Sequence, residues 1–470
     1  MDVYSLNGLG HVFREKREEL GHKIEELSEE GLSIATISNF ETGKKKVSKD
    51  KIIRLFDKID ITMDQIPQLL SETKKQRDHI MKRLELQLIA VENEIDFVDA
   101  TQALKKIKNL RNTIQEKKCL PHLATLEYLA GNAYYKKENW TKSQDYYHRA
   151  IRICHDHPEI EHSNIKAGSF YGLARISFRN SDISNALKFV SDGLTSFQDN
   201  GDRKYLHQQL MLSKAIYSEM LERNEDAFDT LSEMWQCLNE IDTEIILNMY
   251  QLQSSLYIKR NKYDIAISYA VKGIDIARRN KNFDRSFELW ITLGSAYIHL
   301  GNLDQAKICF ETASQFESKI RRKILSVHNL IQLGLLYMKE GDAKYAQALL
   351  ENAAGKAKKE NDALLLFKSL EALGDCLLQQ LKHDEALGQF ECAYEIAQKH
   401  SFLLQEHNLS LKLAEFYEKV DLTKHTKYST RFYRISVQLR HNGGEEPVKS
   451  NEQIQYLMNE RQSVADPPDN

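Results

Sequence analysis

Apolar residues recur at helical spacing along almost the whole chain, and from about residue 120 to 420 the pattern itself repeats at a period near forty residues. The segments Glu127–Tyr134, Trp290–Tyr297, Leu330–Tyr337 and Leu370–Leu377 each read large-x-x-apolar-Gly-x-x-Tyr/Leu, with Glu127 as the exception in the first slot. Twelve residues after each glycine stands a small residue: Ser143, Ala306, Ala346 and Ala386. Four further on comes Tyr147, Phe310, Leu350 or Phe390, and three beyond that an alanine (Ala150, Ala313, Ala353, Ala393). Weaker copies centre on Ala174, Ala215, Ser254 and Ala414, three of them with second small residues at Ala186, Ala227 and Ala266. The eight pivots, from Gly131 to Ala414, are spaced by 43, 41, 39, 40, 40, 40 and 40 residues. A small residue repeated in this register marks where two antiparallel helices cross too closely for a larger side chain, with large residues filling the space on either side. The copy at Ala414 lacks the second half of the pattern and is expected to be a truncated cap. Residues 80–117 read as a degenerate first pair built around Phe97, Ala100 and Leu104.

The pattern resembles the tetratricopeptide repeat, with longer helices or longer loops than the usual 34-residue unit. The fold class expected is therefore all-α, and the resemblance implies a right-handed superhelix whose first helices line a concave groove suited to an extended peptide. Positions near pivot minus 6, minus 3, plus 1 and plus 4 face that groove. They include Tyr128, Tyr171, Glu219, Ser255, His328, Glu371, Asp375 and Asn408.

Residues 1–70 break the period and form a separate unit. A first helix around Gly10–Arg17 carries Val12, Phe13 and Leu20. A second is expected over Lys23–Ser28, a third over Ser33–Glu41 with Ser33 as N-cap, and a fourth after Ser48. The run Leu27–Gly43, ending Ile37-Ser38-Asn39-Phe40-Glu41-Thr42-Gly43, resembles the Cro/repressor type of helix-turn-helix, with Phe40 in place of the usual aliphatic residue and one residue fewer than most of that family. This shortened form ahead of a tetratricopeptide array resembles the peptide-pheromone receptors of Gram-positive bacteria, the Rap–Rgg–NprR–PlcR–PrgX group, and the plan is most like the NprR and PlcR members.

A recognition helix enters the major groove of double-stranded DNA through its N-terminal turns. Ile34, Ala35, Thr36 and Asn39 are then the base-reading candidates: Asn39 suits an adenine edge, and the apolar pair a thymine methyl. Ser33, Ser38 and Lys23 are placed at phosphates, and Lys44, Lys45 and Lys46 at the helix exit, where backbone passes. Taken alone, a lysine triplet is more often a solvated loop. Residues 1–61 hold 11 Lys and Arg against 12 Asp and Glu, so DNA affinity per head is modest and a homodimer on paired half-sites is expected. In the receptors resembled, groove asparagines hold the main chain of a short signalling peptide, and amide groups offer the paired donor and acceptor this needs. That reading assigns Asn132, Arg175, Gln209, Asn248 and Gln251 to the peptide. The competing reading of each is ordinary surface polarity, and Tyr128 and Tyr171 read equally well as packing between repeats.

The domains expected are the DNA-binding head (1–70), a helical linker (71–83), the repeat array (84–440) and a flexible tail (441–470) with a short helix around Gln453–Met458. Composition narrows function mostly by exclusion. The net charge of -3 gives no bulk attraction to nucleic acid, so contact must be local. The six cysteines form no CxxC pair and read as reduced, partly buried thiols. No leader and no 18-residue apolar run opens or crosses the chain, so a cytoplasmic, membrane-free protein is expected. There is no phosphate loop, HExxH, GxSxG or metal-type Cys/His cluster, and His155 and His157 read as a solvated helix end; no enzyme activity, metal or cofactor is expected. Two alternatives stay open: an array that binds a response regulator or phosphorelay protein, and a scaffold whose helix-turn-helix no longer reads DNA.

Overall fold

The computed structural model describes residues 6–441, apart from 46, 63, 117–118, 181, 238–240 and 401. Among the described residues the regular elements are all helices, and one isolated bridge joins Glu29 and Leu32. They divide into two compact units, residues 1–153 and 154–470.

The first unit opens with α1 (Leu6–Glu19), α2 (Ile24–Leu27), α3 (Ile34–Glu41) and α4 (Lys49–Asp57). Their shared core is Leu9, Phe13, Leu27, Leu32, Ile37, Phe40, Leu55 and Phe56. Phe13 sits edge-on to Phe56 at 5.3 Å and 5.8 Å from Phe40, so the unusual aromatic of the motif fills the centre. Gly10 is required by close approach: a Cβ there would run into the backbone carbonyl of Phe40, so α1 and α3 approach main chain to main chain. Leu20, expected in this core, is 54% exposed because α1 has already ended at Glu19 and the chain turns at Gly21. Ser48 precedes α4 but makes no side-chain cap.

Pro67 lies in the first turn of α5 (Ile66–Phe97), where its missing N–H costs nothing. The helix runs unbroken through the stretch read as linker, packing near its start on α1 and further along on α6 (Ala100–Glu116) and α7 (Leu120–Lys136). In the degenerate first pair Phe97 is 82% exposed, and Ala103 and Ile107 take the interior places instead. The chain breaks helix at Val98, which leaves Phe97 beyond the last packed turn.

The array then alternates first and second helices: α7 with α8 (Trp140–Asp156), inside which the two units divide; α9 (Ile165–Arg179) with α10 (Ile183–Ser196); α11 (Tyr205–Met220) with α12 (Asn224–Trp235); and α13 (Thr243–Lys259) with α14 (Tyr263–Arg279). It continues with α15 (Phe283–His299) and α16 (Leu303–Gln315), α17 (Ile324–Glu340) and α18 (Ala343–Lys359), α19 (Ala363–Gln379) and α20 (His383–Lys399), and finally α21 (Leu403–Tyr417) and α22 (Leu422–His441). Most helices from α13 onward are 17 residues long, which accounts for the forty-residue period.

The pivots work as expected, with one refinement. What each glycine faces is the large residue sixteen positions later rather than the alanine: a Cβ would stand 2.5 Å from the Tyr147 ring at Gly131, 2.5 Å from Phe310 at Gly294 and 2.7 Å from Leu350 at Gly334. The small residues Ala306, Ala346 and Ala386 are fully buried. Where serine replaces a small residue it satisfies itself across the pair: Ser143 donates to the Gly131 carbonyl and Ser254 to that of Ala266, both at 2.8 Å. The last unit corrects the sequence reading. It has a full second helix, α22, packed on α21 through Tyr428 and Ile435. Thr426 and Tyr433 stand there at the two positions where the earlier units have a small residue and an alanine. The expected tail, including the segment Gln453–Met458, lies beyond the described residues.

Candidate functional site: recognition helix and repeat groove

Local sequence builds the recognition helix. Glu29 and Leu32 exchange backbone hydrogen bonds of 3.2 and 2.9 Å across Gly31, which turns the chain at φ 83°. Ser33 then caps α3, accepting from the Thr36 N–H at 3.3 Å. Ile37 and Phe40 enter the core, so the opposite side of α3 must face outward. Ser33, Ile34, Ala35 and Ser38 are exposed, and Thr36 and Asn39 half-buried. Lys23, Lys44 and Lys45 are exposed; Lys46 lies outside the described residues. Ser33, Ile34, Ala35 and Ser38 thus share the solvent-facing side of α3, whose main-chain start is positive by virtue of the helix N-terminus.

The role of Glu41 escaped the sequence reading. It is buried at the end of α3 and accepts from Arg17 of α1 at 2.7 and 3.2 Å, while Arg17 also donates to the His22 carbonyl at 2.7 Å. The hydrogen bond from Arg17 to Glu41 outweighs burial and raises the arginine pKa. This two-point pair clamps the recognition helix to α1. The signal was present as a lone acid at the motif's end with an arginine 24 residues earlier, but nothing in one sequence connects them.

In the array, Asn132 belongs to the first unit, where its Oδ1 accepts from Tyr147 Oη at 2.7 Å. The other four predicted peptide residues share the second unit. Arg175 lies over the Tyr171 ring, 5.7 Å from its centroid. Gln209, Asn248 and Gln251 are buried on successive first helices, and Asn248 Nδ2 donates to the Glu244 carbonyl of its own helix at 2.9 Å.

Beyond these amides runs an ionic wall that sequence reasoning covered only in part. Glu219 of α11 pairs with Lys259 of α13. Arg285 of α15 reaches Glu244 of α13 at 2.6 Å and Glu288 at 2.7 Å, and Glu288 accepts from Arg322 at 2.9 Å. Lys412 of α21 holds Asp375 of α19 at 2.8 Å, with Glu371 at 3.8 Å. Burial pushes the Glu371 carboxyl up despite Lys412. Burial, with Lys368 and Arg322 adding to it, holds His328 down to about 3; burial, with Lys339, holds His299 down to about 4. The offset that selected Gln209, Asn248, His328 and Asn408 falls equally on Glu288 and Lys368, which would have revealed the wall. Cys119, Cys154, Cys309 and Cys376 are buried, Cys237 and Cys392 exposed, and all six are unbridged. Among the described residues no group of His, Cys, Asp and Glu could hold a metal ion, and no helix is long and apolar enough to cross a membrane.

A helix-turn-helix head leading by one long helix into stacked tetratricopeptide-like pairs defines the class of protein. Residues 13–66 match the helix-turn-helix family, and residues 287–319 match the tetratricopeptide repeat. No curated protein matches the chain in sequence. Solved structures do match in fold: a Rap protein complexed with Competence and Sporulation Factor (12% identity, 77% of this chain and 99% of that one, TM-score 0.53), and the apo form of the quorum sensor NprR from B. thuringiensis (16%, 71% and 93%, TM-score 0.52). NprR in complex with its cognate peptide NprX matches over 80% of this chain and 98% of that one at 12% identity and a TM-score of 0.50. At such identities the likeness is one of fold, shared with these Rap and NprR structures.

Proposed function

We propose that the chain is a peptide-responsive transcription regulator: α3 reads DNA in the major groove, and a short signalling peptide in the repeat groove controls that binding. The observation that carries this reading is the outward edge of α3, where a capped, exposed N-terminal turn presents Ser33, Ile34 and Ala35 with Asn39 behind them. The likeness of fold, over 71% of the chain, to the quorum sensor NprR supports the peptide half. The head's near-neutral charge makes a homodimer on two half-sites the form expected on DNA, and a cytoplasmic location in a Gram-positive bacterium follows from the same reading.

Control by ligand is a linkage. A peptide that binds one arrangement of the array more tightly shifts the chain toward it, and a swing from 1:99 to 99:1 requires roughly 5.5 kcal/mol of differential binding. Several main-chain bonds to Arg175, Gln209, Asn248 and Gln251 would supply energy of that order.

The test is selection of random-sequence duplex DNA by the full chain, followed by anisotropy titration of the enriched sequence. Asn39→Ala is expected to cost about 1–3 kcal/mol and relax preference at one base pair, whereas Lys44→Ala would weaken all sequences evenly. Failure to enrich any sequence, with or without peptide extracts, would remove the DNA-reading half. The Rap-like fold of the array favours a second reading, binding of a response regulator, which pull-down with the purified array-containing chain would separate from DNA reading.

A further inference from the structure

Where α5 passes the start of α7, four side chains with metal-binding chemistry meet inside the first unit: Met81 and Glu85 on α5, Cys119 and His122 at the start of α7. Met81 and Glu85 stand four apart on their helix, Cys119 and His122 three apart on theirs, so each pair shares a face. Cys119 Sγ lies 3.6 Å from Met81 Sδ, and one turn further along both helices His122 Nε2 lies 4.0 Å from Glu85 Oε1. Cys119 is buried and Met81 half-buried, while Glu85 reaches solvent. Cys119 holds the N-cap position of α7 without capping it, and the positive end of a helix favours a thiolate over a thiol. The His122 side chain is 12% exposed, and both ring nitrogens are buried without a hydrogen-bond partner. Burial lowers its pKa against the opposing pull of Glu85 and the Met81 main chain, so the ring is neutral and keeps a lone pair to give.

Two sulfurs that share one tetrahedral ion at about 2.3 Å stand about 3.8 Å apart, close to the separation of Cys119 and Met81. A buried imidazole nitrogen without a partner is a standing cost of the fold, and coordination would remove it. We propose that Met81, Cys119 and His122 form a site for a soft monovalent cation, Cu(I), between α5 and α7, with Cys119 giving up its proton as the ion enters. Ligand softness selects the ion. Thioether and thiolate suit Cu(I), whereas magnesium, calcium and manganese take carboxylate, carbonyl and water. Among the described residues no group drawn from His, Cys, Asp and Glu is placed to hold an ion, so Glu85 does not complete a zinc set and the Met81 thioether is the third ligand. An ion there ties the helix that leads out of the head to the first helix of the first strong repeat. The inference rests neither on peptide binding in the groove nor on DNA reading.

The test is anaerobic titration of the full chain with Cu(I) against a colorimetric Cu(I) chelator, in a background of Cys237→Ser and Cys392→Ser that silences the two exposed thiols. The background chain is expected to withdraw a single Cu(I) from the chelator. Losing a ligand costs no less than losing a group that merely orients one, so Met81→Leu and His122→Asn should each weaken binding by about 10–100-fold, and Cys119→Ser by more. Thermal unfolding separates ligation from packing. Leucine keeps the volume of methionine, so without copper Met81→Leu should melt close to the background chain. With copper the background chain should melt higher and Met81→Leu should not, since only a ligand bound to the folded state raises the melting temperature. X-ray absorption of the loaded chain should show sulfur and nitrogen neighbours together. No copper withdrawn, or affinity unchanged in Met81→Leu or in Cys119→Ser, would overturn the site. Zn(II) held as tightly as Cu(I) would overturn the choice of ion.

Discussion

The head and the array solve the same packing problem by opposite means. Four short helices in the head close around one shared core, centred on Phe13, Phe40 and Phe56, and the buried ion pair Arg17–Glu41. The array repeats one joint, in which Gly131, Gly294, Gly334 and Gly374 each face a large residue sixteen positions later, and then knits adjacent first helices with ion pairs. What the contrast teaches is where change is tolerated. A loss in the head is global to the head, whereas a loss in the array is local to one repeat and its neighbours.

The largest expected effect tests the head's dependence on its clamp. Arg17→Ala leaves Glu41 buried without its partner and should cost about 3–5 kcal/mol. Hydrogen exchange is expected to collapse across α1–α4 while α9–α22 stay protected; unchanged protection in α3 would show that the aromatic core alone suffices. Next comes a matched pair of glycine substitutions. Gly10→Ala drives its Cβ into the Phe40 backbone, which cannot swing aside, whereas Gly374→Ala meets only the Phe390 ring, a side chain that can turn. Overpacking of this kind costs about 1–3 kcal/mol, with Gly10→Ala at or above the upper end and Gly374→Ala near the lower. Equal melting shifts would mean that the array joint is as unyielding as the head's.

Acid should attack the array's ionic wall. His299 and His328 have folded-state pKa values of about 4 and about 3, below the ordinary 6.5. A depressed histidine pKa means the unfolded chain binds the proton better, so stability is fully present above pH 6.5 and is lost as pH falls toward the folded values. Between pH 6.5 and 5 each histidine accounts for about 2 kcal/mol. Urea titrations of His328→Gln against the parent should show a flatter pH dependence; parallel curves would mean the ring is already solvated. The smallest effect belongs to the cap: Ser33→Ala should cost about 1 kcal/mol and reduce DNA binding chiefly by fraying the first turn of α3.

Much of this was legible in the sequence. Each pivot predicted from Gly131 to Ala414 lies on a first helix, and Ser33 caps the helix it was expected to cap. Those successes share a cause. Helical periodicity, a small residue at a crossing and a capping side chain act between residues close in sequence, or repeat often enough to be read by self-comparison. The readings that changed have the opposite cause. Phe97 and Leu20 looked like core because they are apolar and in phase, yet each lies where its helix has run out of a partner. Unit eight looked truncated because its second helix carries Thr426 and Tyr433 where the pattern has small residues, yet Tyr428 and Ile435 still bury against α21.

By itself, then, the order of residues determined the helical class, the head-then-array plan and the face that α3 turns outward, since local hydrophobic phase and turn chemistry decide all three. Tertiary structure alone decided that Arg17 meets Glu41 and that Arg285 bridges Glu244 and Glu288. Those partners lie between three and forty-one positions apart with no fixed spacing, and pairing of charges depends on distance and shared burial in space, which no single sequence states.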